Sequence, residues 1–79
     1  MSEIKEVVEY LVKQIVDNPE EIKISEKDGE HVIVFEIHAN KKDFGKILGK
    51  QGRNIQAIRT LVSAVSAKLG RRTIIEVIE

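Results

Sequence analysis

Phe44-Gly45-Lys46-Ile47-Leu48-Gly49-Lys50-Gln51-Gly52-Arg53-Asn54-Ile55 is the stretch from which the rest of this 79-residue chain is read. Two glycines flank Lys50-Gln51 at a corner between two segments with helical spacing. Glycine permits a tight turn and puts no Cβ in the way of an approaching phosphate. The amides of residues 50–54 are expected to face outward at the positive end of the following helix, an anion seat. Lys46, Lys50 and Arg53 would surround that seat with positive charge, and Gln51 adds a neutral donor and acceptor. Ile47, Leu48 and Ile55 would supply apolar surface for unstacked bases. From the glycines alone, a helix-turn-helix corner with glycine caps is the plain alternative. Other phosphate motifs fit badly. A Walker loop needs four residues before its Gly-Lys-Ser/Thr and must follow a strand, and the dinucleotide fingerprint needs a third glycine and a βαβ unit.

Outward from the loop, Asn40 suits the cap of a short helix over 41–48, with Phe44, Ile47 and Leu48 on its buried side and Gly49 ending it. A longer helix is expected from about Arg53, with Ile55, Ile58, Val62, Val65 and Leu69 as its apolar stripe. Gly70 fits the left-handed position beyond it. The β-branched run Arg72 to Ile78 reads as a last strand. Towards the N-terminus, Ile4, Val7, Val8, Leu11, Val12 and Ile15 make one helical face over about 3–17, capped by Ser2 and stopped by Asp17-Asn18-Pro19. Ile22 and Ile24 begin a short strand, Asp28-Gly29 signals a hairpin turn, and the apolar run 32–39 suits a central strand.

The predicted order is α-β-β-α-α-β, an α+β fold. The hairpin makes the first two strands antiparallel, and a right-handed helical crossover brings the last strand in parallel. A three-stranded mixed sheet with three helices on one face satisfies both, the Phe35 side facing the helices. One domain over 1–79 is expected, because so short a chain has room for one core.

The net charge of zero conceals a segregation. Residues 1–39 hold four basic and ten acidic residues, a balance of −6; residues 40–79 hold nine basic and three acidic, a balance of +6. Between Lys41 and Arg72 the only carboxylate is Asp43. Such an arrangement favours a polyanion on the basic half, with an ordinary solvated surface as the alternative. Asp43, in the first turn of a helix, is read as a dipole-stabilising residue rather than a catalytic one. His31 and His38 have no partner at metal-ligand spacing, and cysteine is absent. No catalytic set, metal or other cofactor is indicated. The N-terminus is acidic and amphipathic, unlike a signal peptide, and no apolar run approaches the roughly 20 residues of a membrane span. A soluble cytoplasmic protein is expected.

Taken with this element order, the segment Ile47 to Ile55 resembles the signature of the KH domain, whose Gly-x-x-Gly loop clamps about four nucleotides. The order resembles the type II KH fold. Lys42-Asp43-Phe44-Gly45 and Ala57-Ile58-Arg59-Thr60 extend the likeness over the whole chain to the KhpA family of small bacterial single-KH-domain proteins. The resemblance implies single-stranded RNA as partner: Gly49 and Gly52 shaping the loop, Lys50, Gln51 and Arg53 on phosphates, and Ile47, Leu48 and Ile55 lining or supporting a base groove. Its other wall would be strand 32–39. Lys46 and Arg59 are further candidates, with a solvated helix face as the alternative for each. The family implies a role as RNA chaperone or post-transcriptional regulator affecting cell division and envelope growth. It also implies self-association and pairing with a larger Jag-type KH protein. A protein-interaction adaptor is the competing reading.

Ala57, Leu61 and Ala64 form a second stripe on the long helix, continued by Lys68. It is read either as added core contact or as a dimer face, where small residues permit close helix approach.

Overall fold

The computed structural model describes residues 3–79. Helix α1 runs Glu3–Ile15 and buries Ile4, Val8 and Val12; the proposed Ser2 cap lies outside the described residues. The helix stops two residues short of the expected bound. The last α-type bond joins Val16 N–H to Val12 O at 3.3 Å, and the next two amides, Asp17 and Asn18, turn instead to the carboxylate of Asp43. A single 3-10 turn, Pro19–Glu21, then leads to strand β1, Lys23–Asp28.

Strand β1 pairs antiparallel with β2, Val32–His38. Asp28-Gly29 is not the centre of the hairpin. Gly29 N–H donates to Val32 O at 2.8 Å, so Glu30 and His31 occupy the tip. Glycine is suited to this position by space: a Cβ would stand 2.8 Å from that carbonyl oxygen. Helices α2 (Lys41–Leu48) and α3 (Arg53–Lys68) follow, then β3, Arg72–Ile78, parallel to β2. The sheet order is β1-β2-β3.

Among the described residues this is three α-helices and a three-stranded mixed sheet in the order α-β-β-α-α-β, the type II KH arrangement. Ile33, Phe35, Ile37 and Ile75 are buried against the helices, while Val32, Val34 and Glu36 alternate to the other face. The core is closed by Ile4, Val8 and Val12 of α1 and by Ile55, Ile58 and Val62 of α3.

Two side-chain assignments differ from expectation. Val65 and Leu69 are exposed, and Ser66 is buried in their place, only 1% accessible. From Ile58 and Val62 the buried line continues to residue 66, and that serine satisfies its hydroxyl by donating to Ser63 O at 3.2 Å, with Thr73 Oγ1 3.4 Å away. In α2 the buried positions are Asp43 and Ile47, and Phe44 is only half-buried.

Candidate nucleic-acid interface

The corner between α2 and α3 is built from unusual backbone. Gly49 ends α2 at φ 76°, ψ 174°, a region essentially restricted to glycine. Lys50–Gly52 form a 3-10 turn in which Gln51 (φ 58°, ψ 26°) and Gly52 (φ 73°, ψ 16°) are both left-handed. The two glycines serve different needs. A Cβ on Gly49 would lie 2.6 Å from Asn54 Cγ, whereas one on Gly52 would meet only Ile55 Cγ2, at 3.9 Å. The space over Gly52 is open.

The expected row of outward amides is shorter than residues 50–54 suggested. Gly52 N–H donates to Gly49 O at 3.1 Å and Arg53 N–H to Lys50 O, because the turn closes on itself. What faces outward is charge and dipole. Lys50, Gln51 and Arg53 are exposed, and Arg53 reaches Gln51 Oε1 at 3.4 Å. Helix α3 has no acidic residue in its first turn, so its positive end is not neutralised locally.

The apolar candidates divide. Ile47 is completely buried and Ile55 is 4% exposed; both belong to the core, contrary to the expectation that they present a surface to bases. A branched side chain on the inner face of each helix is drawn into the space above the sheet, so these two support the corner from beneath. Leu48, half-buried, is the one of the three with surface to offer. Strand β2 cannot wall a groove with its outer residues, because they point to the face away from the helices. The strand against both α2 and α3 is β3, which is also an end strand of the sheet.

Lys46 is not a free cation: its Nζ pairs with the Asp17 carboxylate, an interaction that raises the lysine pKa. Arg59 donates from Nη2 to Ile75 O of β3 at 2.9 Å. Ala57, Leu61 and Ala64 are all exposed, Leu61 by 52%, which removes the core alternative for that stripe.

Two residues had no such role in the sequence reading. Asn54 Nδ2 donates to Lys46 O at 2.8 Å, satisfying a carbonyl in the last turn of α2 from the first turn of α3. Asp43 is fully buried. Its oxygens accept from Asp17 N–H at 3.2 Å, Asn18 N–H at 3.1 Å and Asn40 Nδ2 at 3.2 Å, while Asn40 Oδ1 caps Asp43 N–H at 2.8 Å. Burial pushes the Asp43 pKa up, but the hydrogen bonds from Asp17, Asn18 and Asn40 outweigh it and hold the group below its ordinary 3.8. The signal for this was the spacing Asn40-x-x-Asp43, a relative of the capping box. Nothing local announced the partner turn at 17–18. Among the described residues no group of three or more His, Cys, Asp or Glu side chains is placed to hold a metal, and no helix is long and apolar enough to cross a membrane.

Comparison with known proteins agrees with the fold. The family model described as the KH domain of KhpA/KhpB matches residues 5–77. The chain is 38% identical over 79 residues to the RNA-binding protein KhpA of Aquifex aeolicus, covering all of both chains. It is 45% identical over 76 residues to that of Chlamydia pneumoniae, covering 96% of this chain and 97% of the relative. With that of Clostridium perfringens it shares 41% over 75 residues, 95% of this chain and 100% of the relative.

Proposed function

This chain belongs to the KhpA/KhpB family of KH domains, and from that membership we propose that it binds single-stranded RNA by seating the sugar-phosphate backbone on Gly49-Lys50-Gln51-Gly52. The observation that carries the reading is the open space over Gly52 at the un-neutralised positive end of α3, flanked by exposed Lys50 and Arg53. Its relatives are named RNA-binding proteins, not enzymes. A grip of this kind recognises phosphate and shape, so the loop itself discriminates little among sequences. Affinity falls as salt rises, because phosphate contacts release counterions. The test is the double variant Lys50→Asp, Gln51→Asp. It should abolish retention of RNA in a protein whose thermal unfolding is unchanged; undiminished binding would show that the loop is not the site.

The finer reading is a cytoplasmic RNA chaperone or post-transcriptional regulator with effects on cell division and envelope growth. Sequencing of RNA crosslinked to the protein in cells tests it: enrichment of a defined transcript set supports regulation, and recovery in proportion to abundance argues against it. A second reading, an adaptor that dimerises or pairs with a larger Jag-type KH protein, is favoured by the exposed stripe Ala57, Leu61 and Ala64, to which exposed Val65 and Leu69 now add. Pairing would tether two loops on one strand and raise avidity without new contacts to RNA.

A further inference from the structure

The parallel ladder determines which main-chain groups of β3 are available. Arg72 N–H donates to His31 O and Ile78 O accepts from Ala39 N–H, both at 3.1 Å. Residues 72, 74, 76 and 78 therefore turn their N–H and C=O groups towards β2. Thr73, Ile75 and Val77 turn theirs to the outer edge, the side on which Arg59 reaches in. Arg59 lies six residues beyond Arg53, about 9 Å along α3 at the usual rise. Its Nη2 takes Ile75 O at 2.9 Å in a partly buried bond.

That bond changes what an arriving base meets. A bare strand edge offers a donor and an acceptor side by side. Here the central acceptor, Ile75 O between those of Thr73 and Val77, is covered by a guanidinium, which carries five N–H donors and no acceptor. Ile75 N–H, on the same edge, is another donor. We propose that Arg59 makes the β3 side of the interface a donor surface that selects bases bearing a carbonyl oxygen (uracil, guanine and cytosine) over adenine, the one base without it. Uracil offers O2 and O4, and guanine offers O6 and N7 to a guanidinium in bidentate fashion. Adenine has no carbonyl oxygen; its N1 and N7 can each accept one bond, but both lie beside the N6 amino group, which would be brought against N–H donors and a positive charge. The proposal rests on the reading that RNA crosses the Gly49–Gly52 loop and continues along α3 and β3.

The experiment compares short oligo(U) and oligo(A) of equal length by fluorescence anisotropy, for the wild type, Arg59→Leu and the loop variant Lys50→Asp, Gln51→Asp. The wild type should prefer oligo(U) by about tenfold. Arg59→Leu should weaken both complexes by loss of a charge but bring their ratio to within about twofold. Comparing ratios between proteins cancels the self-stacking of oligo(A). Equal weakening with an unchanged ratio would reduce Arg59 to a diffuse charge and overturn the proposal, as would a wild type without preference for oligo(U). If Arg59→Leu does not fold, Arg59→Gln, whose amide presents both donor and acceptor, must narrow the ratio instead. The loop variant separates the two failures: full binding there sinks the underlying site, whatever the base ratio.

Discussion

Asn54 occupies the space that a side chain on Gly49 would need: a Cβ there would come within 2.6 Å of Asn54 Cγ and 2.8 Å of its backbone nitrogen. Gly49→Ala must therefore move backbone as well as adopt a glycine-only conformation, and should cost at least about 2 kcal/mol. Gly52→Ala faces only the left-handed penalty in open space, about 1 kcal/mol. Urea unfolding of the two variants checks the order; equal costs would contradict it.

Asn54→Ala removes the donor to Lys46 O without crowding the corner. The expected loss is about 1 kcal/mol. Asn54→Asp should be at least as damaging, because an ionised carboxylate has no hydrogen to donate. Amide exchange in the last turn of α2 should accelerate in both, a result that a purely solvent-facing Asn54 would not produce.

Asp43 predicts an acid limb in stability. Its folded-state pKa is lower than its ordinary 3.8, so its contribution is present above that value and disappears as pH falls through the folded value. Asp43→Asn should be destabilised at neutral pH, since an amide NH2 would confront the Asp17 and Asn18 donors. The gap in urea midpoint between wild type and variant should close in acid. A gap independent of pH would mean the charge is irrelevant.

Asp17→Asn should improve RNA binding. The change releases Lys46 from its pair and removes a negative charge beside α2. Affinity at low salt should rise, and the slope of log K against log salt should steepen by roughly 0.7 for one added phosphate contact. An unaltered slope would indicate that Lys46 lies out of reach of the strand.

Leu61→Asp addresses self-association. If the α3 stripe joins two copies, the wild type sediments as a dimer at micromolar concentration and the variant as a monomer that keeps the wild type's circular dichroism but loses the concentration dependence of its Tm. A monomeric wild type would leave the stripe without that role.

Most of the architecture was legible because periodicity and turn chemistry agree. Phe35 and its alternates point inward as the strand period requires, and Asn40 and Gly49 bound α2 where capping rules put them. The site was less legible. Ile47 and Ile55 looked like a binding surface because they flank the glycines, but proximity in sequence does not say which side of a helix faces the sheet. Val65 and Leu69 looked like core because they are apolar, yet the buried line passes through Ser66. The Asp43 clamp was invisible for a different reason: its partners lie 25 and 26 residues away, and bonds between a carboxylate and distant main-chain amides leave no pattern in composition.

The clamp also gives the domain a mechanical character. Helix α2 is fastened at its beginning to the end of α1 through Asp43, and at its end to α3 through Asn54. A strand seated on Lys50 as proposed would therefore pull against two anchors, passing the load into the packed helices. On the proposed reading such a corner would act as a fixed hook rather than a closing finger: little ordering would remain to be done on binding, and release would depend on the strand lifting away rather than on the protein opening.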